Sequence, residues 1–348
     1  MIYEDLNERE KTILRSIIQQ FILTASPVGS RNITKKFDIG ISPATVRNIM
    51  SDLEDSGFIN HPHTSAGRVP TDKGYRYYVD TLMQIQKLKG SEKEIIEKSL
   101  DQNSTEADEI LKIASRLLSN ITKQIAYVTY PTLDKGILEK IQLVSLTSKR
   151  LLVVVSIKSG FVKTITLEFQ TEIDSSKLHN VERLLNERLG GLTFNEIRTS
   201  FKERFTDVGG DEKPIIRLFI DSVDKIFMDQ KKEDKIVITG ATNVIQHPEF
   251  GDPEKFQSVV ELIEDKDIII HIMERRQSEN VKNVVISIGS ENEDEKLNEY
   301  SLITKEYSFG ETSGKVGIIG PKRMEYSKVV AIVSYLGEML SEVLTGNK

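Results

Sequence analysis

Ser42-Pro43 fixes the start of a helix more firmly than any other pair in this chain. A serine oxygen accepts from the free N–H groups of the first turn, and a proline at the first helical position has a preset φ and no N–H to leave unbonded. Beyond it Val46, Ile49, Met50 and Leu53 recur at helical spacing and predict one buried stripe, which leaves Ala44, Thr45, Arg47, Asn48 and Ser51 on the outer side and Gly57 as the C-terminal stop. Two helices precede this one. Asn7 and Glu10 form a capping-box pattern ahead of Ile13, Leu14, Ile17, Ile18 and Phe21. Ser26-Pro27-Val28-Gly29 breaks that helix, and Ser30 to Phe37 reads as a short second one ended by Asp38-Ile39-Gly40. The start of the chain is therefore a three-helix unit.

The outer side of the third helix is small, polar and forked. Arginine can bond guanine O6 and N7 together, asparagine can bond adenine N6 and N7, and small neighbours let a helix sit deep in a major groove. A polar outer face is equally that of an ordinary small domain, so the segment that follows decides between them. Phe58-Ile59 resumes an apolar pattern as a strand, His63-Thr64-Ser65-Ala66-Gly67-Arg68 turns the chain, and Val69 returns before Pro70. This predicts a β-hairpin after the third helix, placed as the wing of a winged helix. Thr64 and Ser65 are small enough for a close approach of backbone to phosphate, and Arg68 beside a flexible Gly67 supplies a cation. The competing reading is a solvated hairpin tip.

Net charge is −6 over 348 residues, which alone argues against a nucleic-acid partner. Its distribution reverses that. Residues 1–80 hold ten Lys/Arg against ten Asp/Glu, leaving 37 against 43 for residues 81–348. Within the neutral part, Arg31, Lys35, Lys36 and Arg47 oppose Asp38, and Arg68, Lys73 and Arg76 oppose Asp72. Because salt limits the reach of distant charge to about 8 Å, a local basic face beside an acidic body is enough to meet phosphates. The candidate DNA-binding residues are Arg31, Ser42, Thr45, Arg47, Asn48, Ser51, Thr64, Ser65, Gly67, Arg68 and Lys73. RNA is disfavoured, since A-form RNA closes the groove that a helix and wing would read.

The remaining chain is long enough for one or two further domains of α+β type. Tyr75, Tyr77 and Tyr78 follow Thr71 on a helix and either stack on bases or, as is commoner, pack one domain on the next. Gln84 to Gly90 is a polar linker, Ser91 to Glu94 a capping box, and Ile110, Ile113, Ala114, Leu117, Leu118 and Ile121 a stripe that faces either a partner subunit or its own sheet, the latter preferred. Strands are expected at 141–146, 151–157, 162–169, 235–239, 282–288, 301–308 and 315–319, with helices over 175–230 and a final helix over 325–344. Strands, helices, then strands again suggest one α+β domain interrupted by an insertion.

Catalytic readings fail. Gly310-Glu311-Thr312-Ser313-Gly314-Lys315-Val316 has the wrong glycine spacing for a phosphate loop and Val316 where a magnesium-binding hydroxyl is needed. His61 and His63 lack further zinc ligands at useful spacing, and His179, His247 and His271 are scattered without a nucleophile beside them. No catalytic residue, metal or cofactor is assigned. The chain has no cysteine, an acidic N-terminus without an apolar core, and no run of ~20 apolar residues, so no membrane association and a cytoplasmic setting are expected.

The runs SPATVRNIMSDLEDSGF and HPHTSAGRVPTDKGYRYYVD resemble the winged-helix domain of the heat-inducible transcription repressor family HrcA, and ITGATNVIQHPEF (238–250), ISIGSEN (286–292) and IGPKRMEY (319–326) resemble its later blocks. The likeness spans nearly the whole chain. Ile49 stands where the family pattern expects an acid and Lys322 where it expects threonine, which bears on fine specificity. The resemblance implies an N-terminal winged helix-turn-helix (1–84) and a GAF-like α+β domain in two parts (91–180 and 251–348) around an inserted dimerising domain (181–250). It also implies a homodimeric repressor of chaperone genes that binds double-stranded DNA at the inverted-repeat operator CIRCE, its active state promoted by the chaperonin GroEL. The alternative is a ligand-controlled winged-helix regulator of other genes.

Overall fold

The structure, a computed structural model, describes residues 6–37, 40–62, 67–101, 107–168, 175–227, 236–245, 247–250, 257, 260–261, 284–292 and 294–346. It is an α+β protein. Helix α1 (Glu8–Thr24) starts on the capping box, with Asn7 Oδ1 accepting from Arg9 N and Glu10 N at 3.0 Å and Glu10 Oε2 accepting from Asn7 N at 2.8 Å. Its buried Ile13, Leu14, Ile17 and Ile18 meet α2 (Ser30–Lys36) and α3 (Pro43–Asp55). Strands β1 (Ile59–Asn60) and β2 (Val69–Pro70) pair antiparallel, and α4 (Asp72–Tyr77) runs into one wider turn over Tyr78–Leu82. Tyr75, Tyr77 and Tyr78 are buried there. Tyr77 meets the Phe58 ring edge-on at 5.3 Å and Tyr75 lies 5.9 Å from Tyr326, so these rings pack rather than wait for bases.

Helix α5 (Gly90–Asp101) begins slightly before the expected Ser91 cap, because Glu92 Oε2 accepts from Lys89 N at 3.0 Å and so closes the first turn one step earlier. Helix α6 (Ala107–Thr122) lays Ile110, Leu111, Ala114 and Leu118 on a five-stranded antiparallel sheet. That sheet runs β7 (Ile236–Thr239), β3 (Ile125–Thr129), β10 (Thr312–Pro321), β9 (Tyr300–Phe309), β8 (Val285–Ile288). The last helix, α12 (Tyr326–Thr345), covers β9 and β10 with Val329, Ile332, Val333, Leu336 and Leu340. The segment 310–316 is the tight turn of the β9–β10 hairpin and the strand after it, with Thr312 opposite Phe309.

Strands β4 (Leu138–Thr147), β5 (Arg150–Ile157) and β6 (Val162–Glu168) form a separate three-stranded antiparallel sheet that pairs with none of the other described strands. Helices α7 (Ser175–Leu189), α8 (Phe194–Arg204), α9 (Lys213–Asp221) and α10 (Val223–Phe227) follow it, before α11 (Ala241–Ile245). The expected division at 180/181 does not follow these sheets, for it cuts through α7. The physical tie is direct: Asn186 Oδ1 accepts from Ile141 N at 2.7 Å, its Nδ2 donates to Ile141 O at 2.8 Å, and Glu182 accepts from Leu143 N at 2.8 Å, so α7 satisfies the open edge of β4. Leu151, Val153, Val155 and Ile157 make the single apolar face of β5, and Val181, Leu185 and Leu189 join the same core. Among the described residues no helix is long and apolar enough to cross a membrane.

Candidate nucleic-acid interface

Helix α3 is presented as its sequence demands. Ser42 Oγ accepts from Thr45 N at 3.1 Å, Pro43 occupies the first turn, and Val46, Met50 and Leu53 are buried, with Ile49 half-buried beside them. Ser42, Arg47, Asn48 and Ser51 are exposed. Thr45 is half-buried, its hydroxyl 3.0 Å from Ser42 Oγ, so those two oxygens are spent on the cap. No hydrogen bond or ion pair among the described residues engages the side chains of Arg31, Arg47, Asn48 or Ser51. The forked pair Arg47 and Asn48 therefore faces solvent with its donors free.

The hairpin beside it is braced by a third chain. Val28, in the loop between α1 and α2, pairs with Arg68 through Val28 N to Arg68 O at 2.8 Å and Arg68 N to Val28 O at 2.9 Å. Gly67 is not the flexible joint expected of it. A Cβ there would lie 2.6 Å from Val28 C, 2.7 Å from Val28 O and 2.8 Å from Pro27 C, so glycine is what lets two backbones touch. Thr64 and Ser65, expected at the hairpin tip, lie outside the described residues.

Two of the expected cations are engaged. Arg68 folds back onto the end of α3, its Nη2 2.6 Å from Glu54 Oε2, and the same carboxylate takes His61 Nδ1. The Arg68 Nε is buried without a hydrogen-bond partner. Lys73 donates to the Ser56 carbonyl at 2.7 Å and stands 4.4 Å over the Phe58 ring, closing the C-terminus of α3. Arg76, counted in the same basic segment, is turned away altogether into a contact with Glu291. The free positive charge thus comes from α2 and α3, through Arg31, Lys35, Lys36 and Arg47, while the hairpin's is internally paired. Glu54 and His61 as an organising pair were not foreseen. Nothing in their spacing announces them, because the turn from the end of α3 through β1 creates the contact. Behind this surface, a cleft of about 460 Å³ between α1, α2 and the start of α12 is lined by Ile22, Lys36, Phe37, Tyr78, Lys89 and Lys328 among others.

Comparison with known proteins gives four findings. A family model described as "HrcA protein C terminal domain" matches residues 108–330. The protein named heat-inducible transcription repressor HrcA from Chlorobium phaeobacteroides (strain BS1) is 40% identical over 353 residues, covering 99% of this chain and 100% of its own. Its namesake from Prosthecochloris aestuarii is 41% identical over 345 residues, 97% of each. Among solved structures, a protein described only as hypothetical, in a crystal structure at 2.2 Å resolution, matches with a TM-score of 0.64 at 24% identity over 99% of this chain and 100% of that one, a likeness of fold alone.

Proposed function

Because the chain belongs to the HrcA family, whose members are transcription repressors and not enzymes, we propose that it represses chaperone genes as a cytoplasmic homodimer bound to the inverted repeat CIRCE, with GroEL promoting its active state. Residues 1–84 act as a winged helix in which α3 enters the major groove, Arg47 and Asn48 read base edges, and the 59–70 hairpin lies along the backbone as the wing. The observation that carries this reading is the outer face of α3, with Arg47 and Asn48 exposed and unengaged next to a hairpin held in place by the Val28–Arg68 pair. Arg31, Lys35 and Lys36 on α2 supply phosphate contacts beside it.

In this reading the five-stranded sheet with α5, α6 and α12 is the GAF-like domain, and the inserted dimerising part, expected over 181–250, shifts to the sheet and helices of residues 138–227 that pair apart from it. Two winged helices joined through the body would meet two half-sites, so operator palindromy follows from protein symmetry. Heat raises the load of unfolded clients on the chaperonin, the repressor's folding then falters, and the folded dimer is lost by mass action. Footprinting on the chaperonin promoter of the organism that carries this chain tests the reading: protection of the inverted repeat, extended or strengthened by added chaperonin after heating, is expected. Protection elsewhere, or indifference to chaperonin, contradicts it. The cleft between α1, α2 and α12 favours one second reading, a ligand-controlled regulator, since its size suits a small molecule. A footprint that appears only with a small-molecule extract would support that alternative.

A further inference from the structure

Three sequence blocks remain that neither base reading nor dimerisation uses: residues 238–250, 286–292 and 319–326. The second and third touch the N-terminal unit directly, and the first backs that contact through Glu249 on Arg323. Arg76, on α4 directly after the wing, sends Nε to Glu291 Oε1 at 2.7 Å and Nη2 to the Ile286 carbonyl at 2.8 Å, with Nη2 also on the second Glu291 oxygen and Nη1 on Asp80 Oδ1 at 3.1 Å. Glu291 is itself held, accepting from Ile288 N at 2.9 Å. At the start of α4, Asp72 accepts from Ser290 N at 3.0 Å and pairs with Lys322 Nζ at 2.9 Å. Gly289 sits at φ +55°, where a Cβ would come within 2.1 Å of Asp72 Oδ2, so a side chain there would be strained and would push the Asp72 carboxylate off Ser290 N and Lys322. From the other side Arg323 donates to the Ile22 carbonyl of α1 at 2.5 Å while pairing with Glu249.

We propose that these contacts form a clamp through which the body sets the pose of the DNA-reading head, with Arg76 and Glu291 as its positioning residues. A bidentate guanidinium–carboxylate fork joined to main-chain donors and acceptors fixes orientation as well as distance, whereas apolar contact alone allows sliding. The pose is passed on rigidly. Thr71 Oγ1 donates to the Gly57 carbonyl at 2.7 Å, Lys73 closes the end of α3, and Gly74 lies so close to Phe58 that a Cβ would be 2.1 Å from its carbonyl oxygen. Holding α4 therefore holds α3 and the wing as one piece. Asp72 and Arg76 reach the body from α4, and Arg323 reaches α1 from the loop between β10 and α12; none of the three touches Arg47 or Asn48, so the clamp leaves the reading face open. It aligns the head for DNA; it does not mask it.

A fixed pose matters only to a protein that must place two heads on two half-sites. Binding the second half-site is intramolecular, and its advantage over one half-site, commonly 10²–10⁴-fold, is lost when the geometry wanders. The inference rests on the reading of residues 1–84 as the DNA-binding part. The test uses the full-length chain, with Arg76→Ala, Glu291→Gln and the double reversal Arg76→Glu/Glu291→Arg, titrated onto the chaperonin-promoter inverted repeat and onto the same duplex with one half scrambled. Glu291→Gln keeps the side-chain shape and guards against simple misfolding. Both single variants are expected to lose tenfold or more on the two-half-site duplex and less than twofold on the single half-site, and the double reversal to stay as weak, because a carboxylate at 76 meets Asp80 and the Ile286 carbonyl while a guanidinium at 291 meets Ile288 N. Equal losses on both duplexes, no loss, or tighter binding overturns the clamp. Hydrogen exchange of the α4 amides reads it without DNA: it should quicken in Arg76→Ala, and unchanged exchange overturns it too. A parent chain that does not distinguish the two duplexes would instead refute the repressor reading, whatever the exchange shows.

Discussion

Gly67→Ala should loosen the wing without touching any charge. The added methyl would sit 2.6 Å from Val28 C, 0.8 Å inside the 3.4 Å at which ordinary contact begins, and its three nearest neighbours are all backbone atoms that no rotamer change can move. Gly67 does not adopt a positive φ, so the cost is steric alone. Either the clash persists, at roughly 1–3 kcal/mol for overpacking, or the strand withdraws and gives up the two Val28–Arg68 hydrogen bonds, each worth about 0.5–1.5 kcal/mol. Reduced freedom of the unfolded chain returns about 0.4–1 kcal/mol, the usual effect of Gly→Ala. The net destabilisation of the rung is then on the order of 1–2 kcal/mol, or roughly a 5- to 30-fold loss of protection. Because a chain of several parts need not unfold in one step, native-state hydrogen exchange of the Val28 and Arg68 amides is the suitable assay. Gly90→Ala is the control, since a Cβ there meets nothing within 4 Å and its φ is ordinary. Unchanged protection of the two amides in Gly67→Ala would refute the view that this glycine exists for close approach.

Other predictions follow from the same surface. Arg47→Ala or Asn48→Ala should weaken binding to the inverted repeat by ~1–3 kcal/mol and leave random duplex nearly unaffected, measured by anisotropy titration on both. Arg68→Ala should lower the salt-dependence slope by about one if its guanidinium exchanges Glu54 for a phosphate on binding. Glu54→Gln, which removes the competing carboxylate, should tighten binding several-fold and quicken exchange of the Arg68 amide; weaker binding would make Glu54 a brace for the wing and not a competitor. Burial pushes the Glu249 carboxyl up, but the Arg323 guanidinium outweighs it and holds the group below its ordinary 4.5. A depressed carboxyl contributes stability that is fully present above 4.5 and is lost as pH falls through the lower folded value. The melting temperature should therefore fall more steeply on the acid side in the parent than in Glu249→Gln, and the two curves should run parallel between pH about 6 and 8, where the Glu249 carboxyl is ionised whether the chain is folded or not.

The parts legible in the sequence were those decided by neighbours in the chain. Asn7 with Glu10, and Ser42 with Pro43, specify helix starts within one turn, and Val46, Met50 and Leu53 turn the polar face of α3 outward by periodicity alone. Alternation in β5 likewise announces a strand with one buried face. It says nothing about which sheet that strand joins, and the strands of 138–168 pair apart from the central sheet because α7 caps their edge through Asn186 and Glu182, about forty residues downstream. Charge counting failed for a related reason. Arg68, Lys73 and Arg76 look alike in a tally, yet they end on Glu54, on a helix C-terminus and on Glu291, a residue 215 positions away. The chemistry of an arginine is read from its type, its availability only from the fold.

The most direct test of the central claim, that α3 reads an inverted repeat, is the ratio of affinities of the full-length chain for that repeat and for a scrambled duplex of equal length at fixed physiological salt. A ratio of about 10³ or more, typical of specific readers, falling on Arg47→Ala/Asn48→Ala toward unity while the scrambled-duplex affinity stays within about twofold, is what the account predicts. A ratio near unity in the parent chain, or one that survives the double substitution, would contradict it.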